Sequence, residues 1–565
     1  MSLAPYKCYE LWQLSLLGTV KNQLWIVDKK IMKDRILIVD ALSAGSGQRS
    51  SSRDSIGCGP RTVAGVFEKH QLDCRIHRVE DILSKRSLLR RFDHMAVSAM
   101  TMDLSATKKV VRLWRQANQK GRVIIGGPIS AEPERTLTEI KPDIVVIGEG
   151  EATLDDILRT DALNNCNSLS EIPGIAFIKY GKIHMTKFRS LLSAAEFSEK
   201  YFPSTVRIID YPVYQASKVY VEILRGCSNF KRTKLPLPDG SKCTDCENCD
   251  SEVAKVRMNC PESIPPGCGF CSVPGTWGPP RSRSIDSIVK EVQELADLDV
   301  HRVVLEAPGF LDYKRGTEPL TDPCHPPANL VAIRDLLGKL NSLPQVREGS
   351  IHIAIENMKA CLFTEDVAKT LIESMISSSP NIGLETGSDY HMQQIGKCGN
   401  SGDVIQAVKI AQKYGMKPFV YLIYGLPGEN AETTEQSIRM MRDVSESGAE
   451  RIILYGFRAL PGSAFADFPE SSKKDEHGLR LRKEAEKINR RKKEQYVGTI
   501  VRGIAAEPSK THHGFTMVYP FEEGPLMTVQ GGFSSGTLLS VRIKDVLSSG
   551  LVAGEVVQES DTRVS

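Results

Sequence analysis

The sequence predicts an α/β protein built from three successive units: a doubly wound parallel sheet, a partial (β/α) barrel and a small closed β-barrel. Three observations carry this. Strand and helix patterns alternate at βα spacing over 32–160. The alternation resumes over 218–470, with roughly six further βα units. The last stretch, 496–565, instead holds five short strands broken by glycines.

In the first unit, "RILIVD" (35–40) is an apolar run ending at Asp40, and a Gly/Ser-rich stretch follows it. "TVAGVFEKHQ" has helical spacing, and "HMAVSAM" (94–100) is a second strand. "SATKKVVRLWRQANQKG" reads as an amphipathic helix closed by glycine. "RVIIGGPIS" and "DIVVIGEGEATLDDIL" supply two more strands, the latter entering a helix. Ligands of such sheets bind outside the carboxyl ends of the strands. The rim would then comprise Asp40–Gly45, Ser98–Thr101, Gly126–Pro128 and Gly148–Glu151.

Residues 161–217 are less regular and read as a linker region. The barrel strands are expected at "KVYVEILRGC", 301–308, 350–357, 381–388, 417–429 and 449–462, with the chemistry at their carboxyl ends. A basic linker helix is expected over 471–495, where "LRLRKEAEKINRRKKEQ" carries eight Lys/Arg against three Glu. It reads as a solvated helix face or as a surface for RNA phosphates or an acidic protein. The terminal β-barrel, of OB type, has no evident pair of stacking aromatics, so RNA is the lesser expectation. His512 and His513 are expected in an exposed loop there.

The chain has 565 residues, 41% hydrophobic and 25% charged, with a net charge of +4. That is ordinary globular composition and no polycation. No uncharged apolar run is long enough to span a membrane. Residues 1–31 lack a secretory layout and read as a disordered extension or a misplaced start before Met32. Fourteen cysteines without an export signal point to a reducing compartment, the cytoplasm, and to metal ligation.

Seven of those cysteines lie within 227–271: Cys227, then Cys243, Cys246 and Cys249 in "CTDCENC", then Cys260, Cys268 and Cys271. Close thiolates bind zinc or iron–sulfur clusters, and a C-x-x-C pair does not say which. Cys227 follows the first barrel strand directly, and "CGFC" lies on the same connection. Three cysteines on one loop leave a site one ligand short, as a reactive centre requires. Cys8, Cys58, Cys74, Cys166, Cys324, Cys361 and Cys398 read as ordinary small apolar residues.

These residues resemble the radical S-adenosylmethionine (SAM) enzymes, in which the loop after the first barrel strand supplies three cysteines to a [4Fe–4S] cluster. The usual spacing is C-x3-C-x2-C. Here either Cys227, Cys268 and Cys271 hold the cluster around an insertion at 228–267, the preferred assignment, or Cys260 replaces Cys227. With Cys227 at the cluster, Cys243, Cys246, Cys249 and Cys260 remain for a closed auxiliary site, zinc or a second cluster. Phe270 in "CGFC" is typical of the cluster loop. "GLETGS" (383–388) and "YGLPGE" (424–429) resemble later family motifs, which implies SAM contacts from Phe270, Gly383, Glu385, Thr386, Ser388, Gly425 and Pro427. Tyr313, with Asp312 in "PGFLDYKRG", is a candidate for the substrate channel.

The second motif, together with "IGGP" and "GEGEAT", further resembles the subgroup that carries cobalamin-binding domains. This implies cobalamin contacts from Asp40, Leu42, Gly45, Ser98, Thr101, Gly126, Gly127, Pro128, Gly148, Glu149, Gly150 and Glu151. Leu42 stands where related domains place a cobalt-binding histidine. The implied activity is methyl transfer to an unactivated carbon, with SAM and cobalamin as cofactors and a ferredoxin or flavodoxin as reductant. "LSAGSGQRSSSRDSIGCGPRTVAGV", "PPGCGFCSVPGTWGPPRSRS" and the terminal β-barrel look most like archaeal enzymes of methanogens. That likeness implies a protein substrate, a glutamine of a methyl-coenzyme M reductase subunit, in an anaerobic archaeon. A tRNA modifier is the alternative, from the likeness of the terminal barrel to TRAM domains, and a zinc-stabilised binding protein is another.

Overall fold

Strand Arg35–Asp40 is buried from Ile36 onward, on both of its faces, as expected for the centre of a parallel sheet covered by helices on each side. The structure is a computed structural model describing residues 34–49, 52–374 and 379–557; the extension expected at 1–31 lies outside them. The first sheet runs in the order 73–78, 35–40, 94–98, 123–126, 144–146, 175–179 and 182–185. Its first five strands are parallel, and the last two are added antiparallel.

Those two strands correct the reading of 161–217 as a linker. Ile175–Lys179 and Lys182–Met185 form a hairpin on the sheet edge. Its two turn residues, Tyr180 and Gly181, both have positive φ (52° and 75°), the turn whose twist matches paired strands.

The second unit is an open barrel of six parallel strands in two sheets. Lys218–Glu222, Arg302–Glu306 and His352–Ile355 form one, and Asn381–Glu385, Phe419–Tyr424 and Arg451–Gly456 the other. A single parallel bridge, Met358 to Ile382, joins them. The free edge of the first barrel strand is covered from the other domain, where Ser55–Ile56 pairs with Lys218 and Val219. An edge left open would offer unpaired backbone groups.

The two units share one apolar core, running from Ile36 and Ile38 through Ile208 and Tyr211 to Val219 and Val303. Charge crosses the same boundary. Arg61, on helix Cys58–Lys69, pairs with Glu291 of helix Ile285–Ala296 at 2.8 Å, and Arg283 reaches that carboxylate at 2.6 Å. All three side chains are fully buried, and leaving such a group unpaired costs about 3–5 kcal/mol.

Five strands, 500–508, 515–520, 526–530, 538–546 and 551–556, close into the terminal barrel. It docks at the amino-terminal ends of the parallel strands: Glu523 pairs with Lys218 at 3.0 Å, and Arg502 donates to the Gly349 carbonyl. The basic helix, Glu476–Glu494, is more than a linker. It buries Leu481, Ala485 and Ile488, while Asn489 exchanges hydrogen bonds with the backbone of Ile452 on the last barrel strand. His512 and His513 are exposed, as expected.

Candidate active site

The chain leaves the first barrel strand at Glu222, and Leu224–Arg225 then pairs antiparallel with Arg281–Ser282. That short ladder pins the two ends of the cysteine-rich loop. Between Arg225 and Cys227, Gly226 has φ of 93°, and a Cβ there would lie 2.4 Å from the Pro279 carbonyl. Only glycine fits this approach. The Cys227 N–H then donates to the Gly278 carbonyl at 3.1 Å.

The pinning brings Cys227 beside Cys268 and Cys271 although 40 residues of chain lie between the first two. Asn229 joins them: its N–H donates to Cys227 Sγ at 3.5 Å, and its Nδ2 donates to Cys268 Sγ at 3.3 Å and to the Gly396 carbonyl. Burial raises all three thiols, and for Cys271 burial together with charge on Cys227 gives about 12. Bare, they would stay protonated. A positively charged metal group that takes thiolates removes that penalty, so the donor set fits a cluster.

Two lysines flank the sulfurs. Lys359 pairs with the fully buried Asp312, which Arg315 also holds at 2.8 Å. Burial pulls the Lys359 ammonium down, but Asp312, Cys227 and Cys398 outweigh it and keep it charged. Lys397 pairs with Glu385 at 2.8 Å and faces Cys268.

Glu385, at the end of its strand, has φ of 64°. A Cβ on Gly383 would meet the Glu385 carboxylate at 2.3 Å and Lys397 Nζ at 2.7 Å, so this glycine makes room for the pair. Thr386 Oγ1 contacts His391 Nδ1, whose other nitrogen meets the Pro427 carbonyl at 2.8 Å. Ser388 caps helix Asp389–Gln394, and the Gly425 N–H donates to Glu429. Expected SAM residues on two separate loops are thus tied together. Phe270 packs against the group containing Ile264, Leu426 and Phe465.

On the rim of the first sheet, Gly45 and Gly148 have positive φ and face open space. Gly127 (φ 90°) would set a Cβ 2.7 Å from the Ala99 carbonyl. This is a cradle lined by backbone, which suits a large flat cofactor. Ser98, Thr101, Gly126, Pro128 and Gly150 sit on the same strand ends. Asp40 itself is fully buried, bonded to Arg49 at 2.7 Å, Tyr211 at 2.9 Å and the Leu42 N–H. It shapes the loop rather than lining an open cradle.

Glu149 and Glu151 reach across to the barrel. Arg225 Nη1 lies 3.0 Å from Glu149 and its Nη2 2.8 Å from Glu151 and from Glu222; Arg281 adds 2.8 Å to Glu149. Burial raises the Glu149 carboxyl, but Arg281 and Arg225 more than offset this and hold it below the usual range. These two glutamates were expected to be cofactor contacts. The structure makes them an interdomain clamp, because two guanidinium groups at the barrel mouth lie within bonding reach. Arg225 in "ILRGC" was the available signal, a charge inside a buried run.

Tyr313 is corrected. It is fully buried and its hydroxyl donates to the Arg283 carbonyl at 2.9 Å, so it is a core residue facing no channel; its neighbour Asp312 is the one near the thiols. Cys260 and Cys243 pack against the group containing Ile264, with Leu235 and Leu237, and Arg232 Nη1 approaches Cys249 Sγ at 3.7 Å. No three of Cys243, Cys246, Cys249 and Cys260 have their sulfurs within 4.8 Å of one another.

Cys58 and three further cysteines are not ordinary apolar packing. Cys58 Sγ, at the start of its helix, donates to Glu306 at 3.1 Å. Cys324, Cys361 and Cys398 converge, all three sulfurs within 4.8 Å. No spacing signals this convergence, since Cys324 and Cys361 stand 37 positions apart.

Residues 259–441 match the Radical SAM superfamily, and residues 54–158 match the B12 binding domain. The uncharacterised protein MK0932 of Methanopyrus kandleri is 36% identical over 532 residues, 93% of this chain and 97% of that one. The uncharacterised protein MJ1620 of Methanocaldococcus jannaschii is 37% identical over 500 residues, 88% and 94%. Among solved structures, the radical SAM methyltransferase TsrM of Kitasatospora setae, with tryptophan and a SAM analogue bound, superposes with a TM-score of 0.55 at 12% identity. The match covers 77% of this chain and 75% of that one and is a likeness of fold. With these domains the cofactors are a [4Fe–4S] cluster, SAM and cobalamin.

Cys227→Ser is expected to lose the oxygen-sensitive cluster, read as iron and sulfide content and the loss of its electron paramagnetic resonance signal, whereas Cys260→Ser retains it. The reverse pattern would move the first ligand to Cys260. Burial and the charges of Glu222 and Glu356 raise Glu306 to about 7, against 4.5 unperturbed. The folded state thus holds a proton that the unfolded chain releases, so this carboxyl erodes stability as pH rises between those values. Glu306→Gln should therefore gain more stability near pH 8 than near pH 5, by up to about 3 kcal/mol in denaturant melts. An equal effect at both would refute it.

Proposed function

We propose that this chain, which belongs to the family of the Methanopyrus kandleri and Methanocaldococcus jannaschii proteins and joins a radical SAM domain to a B12-binding domain, is a cobalamin-dependent C-methyltransferase. Its substrate is an unactivated carbon of a protein side chain, a glutamine of a methyl-coenzyme M reductase subunit. The observation that carries the reading is Arg225. It lies two residues before Cys227 and grips Glu149 and Glu151 on the glycine rim of the other domain, so the thiol loop and the glycine rim are held against each other.

When bound, the cluster, SAM and cobalamin supply the radical and the methyl group. The chain supplies placement. Asn229 fixes two of the three sulfurs, and Lys359 and Lys397 place positive charge beside them. Asp312 and Glu385 hold those lysines in position. The apolar core that the two domains share holds them together around the site, and a closed site of this kind protects a reactive radical from water.

Glu306 gives the substrate reading its support. It pairs in register with Glu222, and Glu356 follows the neighbouring strand, so three carboxyl groups stand at adjacent strand ends. Glu356 is held by Lys218 at 3.4 Å and by the Tyr220 hydroxyl at 3.3 Å, whereas Glu306, raised to about 7, has a protonated form near neutral pH that can donate to a carbonyl. A primary amide offers that acceptor.

The test uses full-length protein, reconstituted anaerobically, with SAM, methylcobalamin and a low-potential reductant. Reductase peptides containing glutamine or glutamate at the target, and bulk tRNA, are offered separately. The expected result is gain of one methyl group on the glutamine peptide, with 5′-deoxyadenosine formed alongside. Methylation confined to tRNA would overturn the substrate assignment.

A further inference from the structure

Cys324, Cys361 and Cys398 come from the loops that follow three consecutive barrel strands, Arg302–Glu306, His352–Ile355 and Asn381–Glu385. Their sulfurs are the only set of three or more ligand atoms from His, Cys, Asp or Glu, among the described residues, that lie within 4.8 Å of one another. Tetrahedral thiolates at about 2.3 Å from one ion stand about 3.8 Å apart. As thiolates, sulfurs already within 4.8 Å of one another need only small shifts to reach that separation around a single ion, whereas a cluster spreads its ligands more widely.

The surroundings are built for convergence. The carboxylate of Asp322 accepts from the N–H groups of Cys324 and His325, both at 2.9 Å, and turns that loop inward. Gly399 (φ 76°) gives the third loop a left-handed turn beside Cys361 that other residues rarely adopt, and a Cβ there would lie 2.9 Å from the Asp403 carboxylate. Cys324 and Cys361 are joined here by a disulfide, which leaves Cys398 as a free thiol beside it. A disulfide accounts for two of the three sulfurs; an ion accounts for all of them. Cys324, Cys361 and His325 also line a surface cavity of about 270 Å³.

We propose that the three cysteines, as thiols, bind one zinc ion, with its fourth position open to this cavity. Binding replaces three S–H bonds with three S–Zn bonds and releases three protons. Lys359 lies two residues from Cys361, and Lys397 adjoins Cys398. The ion would therefore lock the loops that place both lysines beside Cys227 and Cys268. This is a site separate from the cluster and from the Cys243, Cys246, Cys249 and Cys260 set.

The test uses cluster-loaded, full-length protein treated with a phosphine reductant. This opens the disulfide to two thiols, while the phosphine takes oxygen from water to become its oxide. Free metal is removed with a chelator, and Zn²⁺ or Co²⁺ is then titrated in. Wild-type protein should hold one zinc per chain more than Cys324→Ser, Cys361→Ser or Cys398→Ser, and Cys74→Ser should match wild type. The thiolate-to-cobalt absorption should fall by one site in the same three variants. In unmutated protein, mass spectrometry should show these three cysteines protected from alkylation by zinc and exposed after chelation. Equal metal content in Cys398→Ser and wild type, or equal alkylation of Cys398 with and without zinc, would overturn the proposal.

Discussion

The ion cluster of Arg225 and Arg281 with Glu149, Glu151 and Glu222 is the contact on which the functional geometry depends. Each of these side chains is largely buried, so each charge has lost most of its hydration. Such charges are stable only when paired in good geometry. The guanidinium of Arg225 achieves this by meeting three carboxylates and stacking on Phe197 at 4.6 Å. Because Arg225 precedes Cys227 by two residues and Glu149 follows Gly148 directly, the same contact fixes the thiol loop and the glycine cradle relative to each other. Arg61, Glu291 and Arg283 repeat the arrangement deeper in the boundary.

Around that clamp, the cysteine-rich insertion behaves as an excursion from a fixed point. The pairing of Leu224–Arg225 with Arg281–Ser282 closes its neck, and Asn229 ties the returning Cys268 to the departing Cys227. This is why a spacing far from the usual one still yields three neighbouring thiols. The terminal β-barrel takes no part in that geometry. It sits at the opposite, amino-terminal end of the strands, where Glu523 and Glu356 both pair with the half-buried Lys218.

Most of the architecture was legible in the sequence because parallel strands buried on both faces read as unbroken apolar runs, as at Ile36–Val39 and Val303–Leu305. The hairpin at 175–185 was missed although "AFIKYGKIH" carries alternation around a turn. The preceding irregular stretch obscured it. Within the site, residues whose role is set by their own loop were readable: the thiols, Glu385 and Gly148. Residues whose role comes from a distant partner were not. Glu149 and Glu151 looked like rim residues until Arg225 stood opposite them. Tyr313 looked like a channel residue until its hydroxyl was found on the Arg283 carbonyl. Cys324, Cys361 and Cys398 looked like packing until three loops met.

The central claim is that the clamp aligns two cofactor sites without itself building either one. The most direct measurement compares SAM cleavage with methyl transfer in the Glu149→Ala, Glu151→Ala double variant, reconstituted with both cofactors. The account predicts that 5′-deoxyadenosine formation persists while methylated product falls about a hundredfold, the cost of an ångström-scale misplacement. Retention of full methyl transfer, or loss of both activities together, would contradict it.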